Sequence, residues 1–93
     1  MKQFEYMDEY YLEPQQTVKK KFMKVYEEFN ETLEAFQEGN NNSHRAQEIL
    51  DLILSSVNLL KKMQEEELID IPTELFKHQV KLNKYLESGK YKK

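Results

Sequence analysis

The sequence predicts an all-α fold, a helical bundle of three main helices, and three observations carry that expectation. Its 93 residues include only 2 Gly and 2 Pro, so the chain has few breakpoints. Between them apolar residues recur at spacings of 3 and 4, the period of a helix that buries one face. No stretch shows the alternation of a half-buried strand, and there is no internal repeat. The length admits one domain, residues 1–93, because a second core would not fit.

Residues 1–14 are aromatic and acidic, with Tyr6, Tyr10 and Tyr11 before Pro14, and carry no periodic signal. Thr17 is placed to cap a first helix over about 18–37, along which Phe22, Val25, Phe29, Leu33 and Phe36 form one apolar stripe. Gly39 and Asn40-Asn41-Asn42 end it, since these residues tolerate left-handed backbone. Ser43 is then the expected cap of a second helix, about 44–67. Ile69-Asp70-Ile71-Pro72 reads as a connector, and Thr73 as the cap of a third helix, about 74–87. Ser88-Gly89 closes it, ahead of a lysine-rich tail within 88–93.

The second helix is the most informative segment. Its apolar residues, from Ala46 to Met63, cover about 220° of the wheel, more than a single stripe. It must be packed on more than one side, and with 33% charged and 39% hydrophobic residues the chain has a thin core for a monomer. The strip left over is Glu48, Asp51, Ser55 and Asn58. Acids in such a helix are at least partly buried, and a buried carboxylate must be paired, protonated or bound to a metal.

Charge and composition exclude several functions. The net charge is −3, which argues against stable nucleic-acid binding. Residues 1–76 hold 8 basic and 16 acidic side chains, whereas residues 77–93 hold 6 lysines and Glu87, so an acidic body precedes a basic end. The absence of Cys excludes disulfides, zinc fingers and thiol nucleophiles. Apolar runs are too short for a membrane span. The start Met1-Lys2-Gln3-Phe4-Glu5 carries an acid where a signal peptide needs apolar residues, so a cytoplasmic location is expected. Isolated Gly39 and Gly89 make no phosphate-binding loop.

The carboxylates form a pattern. Glu28 and Glu31 are three apart, as are Glu48 and Asp51. An i, i+3 pair sets two carboxylates on one helix face, about 5–6 Å apart. Two such pairs on adjacent antiparallel helices could converge on one point, where four like charges require a cation. Oxygen ligands without His or Cys favour Mg²⁺, with Mn²⁺ as a substitute, over zinc.

Glu27-Glu28-Phe29-Asn30-Glu31, a gap of 16 residues, and Glu48-Ile49-Leu50-Asp51 resemble the EExxE…ExxD signature of the MazG-like nucleotide pyrophosphohydrolases. Lys24-Val25-Tyr26 before the first motif fits as well, and the stretch from Asp51 to Asn58 resembles that family's DLLxxxVN. The resemblance covers about residues 18–63, with an echo of short, phage-type members in His78-Gln79-Val80-Lys81. It implies Mg²⁺-dependent hydrolysis of a nucleoside triphosphate between the α- and β-phosphates, giving a monophosphate and pyrophosphate. It also implies metal binding by Glu28, Glu31, Glu48 and Asp51, with Glu27 either supporting those ligands from behind or orienting the attacking water. Lys24 and Asn58 would face the nucleotide, and Lys77, Lys81 and Lys84 on the third helix would hold its phosphates.

Glu31 lies nearly opposite the Phe29/Leu33/Phe36 stripe, so an inward metal site needs the first helix covered on two sides. In that family the cover comes from subunit association, which implies a homodimer or homotetramer. Two alternatives stand beside this expectation. One is a phosphoribosyl-ATP pyrophosphohydrolase, although its usual alanine-rich second motif followed by His is replaced here by Glu48-Ile49-Leu50-Asp51 and Asn58. The other is a non-catalytic helical interaction protein whose acids pair with Lys24, Arg45 or Lys61.

Overall fold

A computed structural model describes residues 2–89, and all of their regular structure is helical. Lys90, Lys92 and Lys93, expected in a basic tail, lie outside the described residues. The segment without a periodic signal forms a 3₁₀ helix, Lys2–Glu9. It is followed by α1 (Val18–Gln37), α2 (Asn42–Glu65) and α3 (Ile71–Glu87). No described helix is long and apolar enough to cross a membrane.

Local chemistry fixes the helix ends. Thr17 caps α1 as expected, its hydroxyl accepting from the Lys20 N–H at 3.1 Å. Past the other end, Gly39 takes the left-handed conformation, φ 61°. The cap of α2 is Asn41 rather than Ser43: the Asn41 side chain accepts from the His44 N–H at 3.0 Å, and the helix begins two residues earlier than expected. The earlier start gives Arg45 its place, because its guanidinium reaches the Ala35, Phe36 and Gly39 carbonyls and closes the end of α1. Helix α2 stops two residues early. Glu67 adopts φ 61° where glycine is usual, and the N–H groups of Glu67 and Leu68 return to the carbonyls of Gln64 and Met63. The cap of α3 is Asp70, not Thr73. Asp70 accepts both the N–H and the hydroxyl of Thr73, while Pro72 occupies the first turn, where its missing N–H costs nothing.

The loop from 38 to 41 is short, so α1 and α2 form an antiparallel hairpin. Thr32 bonds across it to the Glu48 carbonyl at 3.2 Å, and Arg45 to the Ala35 carbonyl at 3.2 Å. The face that α1 turns inward is unexpected. Its buried residues are Lys21, Glu28 and Ala35, seven apart, whereas Phe22, Phe29, Leu33 and Phe36 all stay exposed. The buried apolar side chains are Met7 and Ala35, and Lys21, Glu28, Ser55, Asn58 and Lys62 are the buried polar ones. Helix α3 buries nothing, and Leu75 and Phe76 are more than 60% exposed. The radius of gyration, 15.4 Å, exceeds the roughly 12 Å of a compact chain of this length.

The N-terminal segment is held by polar ties. Asn58 donates to the Tyr10 carbonyl at 2.9 Å and accepts from the Leu12 N–H at 2.7 Å. Lys21 donates to the Leu12 carbonyl at 2.7 Å, Lys61 to that of Asp8 at 2.7 Å and Lys62 to that of Pro14 at 3.0 Å. The Tyr11 hydroxyl donates to Glu65 at 2.7 Å, and burial followed by that carboxylate pushes its pKa up to about 12.

The caps separate two outcomes. Asn41→Ala should lower the unfolding free energy by about 1 kcal/mol in urea titration. Ser43→Ala should change it by less than about 0.5 kcal/mol.

Candidate metal centre

Both halves of the acidic pattern meet at the α1–α2 seam. Glu28 comes from the inward face of α1, Glu48 and Asp51 from successive turns of α2. One oxygen from each of the three lies within 4.8 Å of the other two. Glu28 is buried, Glu48 half-buried and Asp51 exposed, so the cluster opens from the seam toward the surface. The Thr32 hydroxyl, bonded to the carbonyls of both Glu28 and Glu48, fixes the register that brings them together.

The donor chemistry suits a hard divalent cation. Glu28 Oε2 and Glu48 Oε2 are both buried and accept no hydrogen bond from the described residues. Buried carboxylate oxygens of this kind are costly unless a cation or proton satisfies them. The other Glu28 oxygen faces the Lys24 ammonium at 2.8 Å, and that hydrogen bond is the chief reason the Lys24 pKa is raised. His44 stands 4.0 Å from Glu48.

Glu31 sits at the rim, exposed, and the structure groups it with the cluster through charge. Its pKa is raised, first by a hydrogen bond with Glu28 and then by repulsion from Glu28, with Glu48 adding to it. Glu27 is also exposed, 4.0 Å from Lys24.

A cavity of about 640 Å³ runs from this cluster along the seam toward the N-terminal segment. Glu27, Glu28 and Asp51 line it together with Lys21 and Lys24, and Leu12, Glu13, Gln16, Leu54, Ser55 and Asn58 complete the wall. A smaller one of about 260 Å³ lies on the other side of Asp51, walled by Tyr6, Met7, Tyr10 and Gln47.

The expected site residues thus divide. Glu27, Glu28, Asp51, Lys24 and Asn58 share the large cavity, and Glu48 and Glu31 adjoin it. Asn58 is less free than expected, because its amide is committed to the backbone of Tyr10, Leu12 and Leu54. Lys77, Lys81 and Lys84 do not line it. Lys77 instead pairs with Glu74 at 3.4 Å, and Lys81 lies 5.7 Å from the Tyr85 ring centroid.

Compared with family models, curated proteins and solved structures, the chain matches none.

Sequence reasoning missed Thr32, Lys21 and Lys62. A signal for Lys21 was present: it precedes Glu28 by seven residues, two helical turns, and so shares its face. Lys62 likewise follows Asn58 by four.

The raised Glu31 pKa has a defined sign. The native state holds this proton more tightly than the unfolded chain, so the group's stabilisation is present below the ordinary value of 4.5 and is lost as pH rises through the raised value. Across that window Glu31→Gln should melt at increasingly higher temperature than the wild type when no divalent ion is present. Mg²⁺ should reverse the order, as read by thermal denaturation at matched pH.

Proposed function

We propose that the chain is a Mg²⁺-dependent nucleoside triphosphate pyrophosphohydrolase of MazG-like type, cleaving its substrate to a monophosphate and pyrophosphate. One observation carries the proposal. Two i, i+3 acid pairs on different helices bring Glu28, Glu48 and Asp51 within ligand distance, with two buried oxygens lacking any partner, at the wall of a nucleotide-sized cavity. The motif resemblance supplies the activity, and the cavity supplies room for it.

In this proposal Glu28, Glu48 and Asp51 hold the metal, and Glu31 joins them from the rim. Bound there, Mg²⁺ would neutralise phosphate charge and acidify water. The protein's own groups do the rest. Glu27, exposed at the cavity wall, orients the attacking water and accepts its proton. Lys24, now 2.8 Å from Glu28, would turn its ammonium to phosphate oxygen. No covalent intermediate is required. Tyr6, Tyr10 and Gln47 offer aromatic faces and an amide beside Asp51.

Association of identical chains belongs to the same proposal. One chain leaves the α1 aromatic stripe and the apolar residues of α3 uncovered. A homodimer or homotetramer would bury them and set the carboxylates between two packed layers. It would also give Lys77, Lys81 and Lys84 a route to a neighbouring chain's site. The Lys24–Glu28 ion pair favours a second reading, a non-catalytic helical module in which lysine replaces the metal. In that case Mg²⁺ would leave the melting temperature unchanged, whereas a metal site raises it by mass action.

The decisive assay screens the common NTPs and dNTPs with and without Mg²⁺. Pyrophosphate is the expected first product; orthophosphate as first product, or no turnover, rejects the activity. Asp51→Asn should weaken Mg²⁺ affinity about 10–100-fold by calorimetry, the range seen when metal-site support is lost. Sedimentation should give a dimer or larger species at micromolar concentration, and a fully helical 11.3 kDa monomer would reject the assembly.

A further inference from the structure

Lys21 is the buried cation that the acidic site leaves unexplained. It is 4% exposed, yet no carboxylate oxygen among the described residues comes within 4.0 Å of its ammonium. Among the described residues its ammonium donates to the Leu12 carbonyl alone, at 2.7 Å, and it lies 4.9 Å from the Tyr11 ring centroid. An ammonium carries three donors, so two remain. Its neighbour Lys62 is also buried but has Glu65 at 3.4 Å and Glu66 at 3.8 Å. Burial, and then repulsion from Lys62, lower the Lys21 pKa, while Glu13 and Glu65 act more weakly from farther away. A buried charge without a counter-ion is expensive unless an anion completes it.

Lys21 also lines the 640 Å³ cavity whose other part is walled by Glu28 and Asp51. Two helical turns, roughly 10 Å, separate Lys21 from Glu28 along α1. The cavity therefore has carboxylates that call for a cation at one end and, at the other, an ammonium whose nearest help in the same wall, Glu13, acts from beyond ion-pair distance and leaves room for an anion. Lys24 stands between them.

We infer that Lys21 is an anion-binding residue, receiving the far end of a polyphosphate whose near end is held through the divalent ion at Glu28, Glu48 and Asp51. This rests on the metal site proposed above. It moves the phosphate contact from the lysines of α3 to a residue within the seam. The spacing selects for a chain of phosphates, because a lone orthophosphate cannot span both ends.

The test uses the full chain, Mn²⁺ and inorganic tripolyphosphate, with orthophosphate for comparison. Calorimetry should show Mn²⁺ binding equally to wild type and Lys21→Gln, a variant that keeps a donor but loses the charge. Tripolyphosphate in saturating Mn²⁺ should bind the variant at least tenfold more weakly, and orthophosphate should bind both weakly and alike. Equal tripolyphosphate affinity overturns the assignment of Lys21, as does a wild type that binds Mn²⁺ but not tripolyphosphate. Failure to bind Mn²⁺ overturns the metal site itself. Should Lys21→Gln fail to fold, the wild-type protein decides. With Mg²⁺ present, the ¹⁵N-lysine ammonium signal of Lys21 should shift on adding tripolyphosphate and not orthophosphate; an unmoved signal rejects the inference.

Discussion

Glu28 sits at the centre of the structure, a carboxylate placed where a helix pair would ordinarily put leucine. Burying it obliges the surroundings to supply positive charge. Lys24 does so from one side, at 2.8 Å. Glu48 and Asp51, each with an oxygen within 4.8 Å of one on Glu28, deepen the deficit rather than relieve it. The rest of the arrangement follows from this constraint. Thr32 holds α1 against the Glu48 turn of α2, and the hairpin register brings carboxylates together that sequence separates by about twenty residues. Such a cluster of like charges lowers the stability of the chain unless positive charge offsets it.

The same choice of face has a cost outside the site. A helix that turns Lys21, Glu28 and Ala35 inward must turn its aromatic stripe outward. One chain then retains little apolar core, and α3 stands against α2 without burying a residue. Much of the chain's apolar surface is thereby left exposed. The polar seam and the apolar exterior are two results of one rotation of α1.

The N-terminal segment shows how a chain with so little apolar core orders an irregular stretch. Its backbone carbonyls are taken up by Asn58, Lys21, Lys61 and Lys62, while Tyr10 and Leu12 stay about half exposed. Hydrogen bonds from buried or half-buried side chains hold it, and each satisfies a donor that would otherwise be left unpaired. The segment thereby walls the cavity beside Lys21, so the groups that order it also shape the candidate site.

The three helices, their order and the acid pairs were legible in the sequence because they depend on local rules. Apolar period, scarce glycine and proline, and i, i+3 spacing act within one helix. Thr17 and Gly39 were read correctly for the same reason. The caps Asn41 and Asp70 were not, since several polar residues in a row compete for the role and the winner depends on where the first turn docks. The end of α2 was missed because Glu67 takes a left-handed turn without a glycine to announce it. Only tertiary structure decided which face of α1 is buried. Hydrophobic pattern assumes that the apolar stripe faces the chain's own core, and here Lys21, Glu28 and Ala35 face it instead. That choice alone brings Lys21 and Asn58 to the same cavity as the acids and leaves Lys77, Lys81 and Lys84 outside it, because burial and the meeting of distant residues are properties of packed helices, which no single helix carries in its sequence.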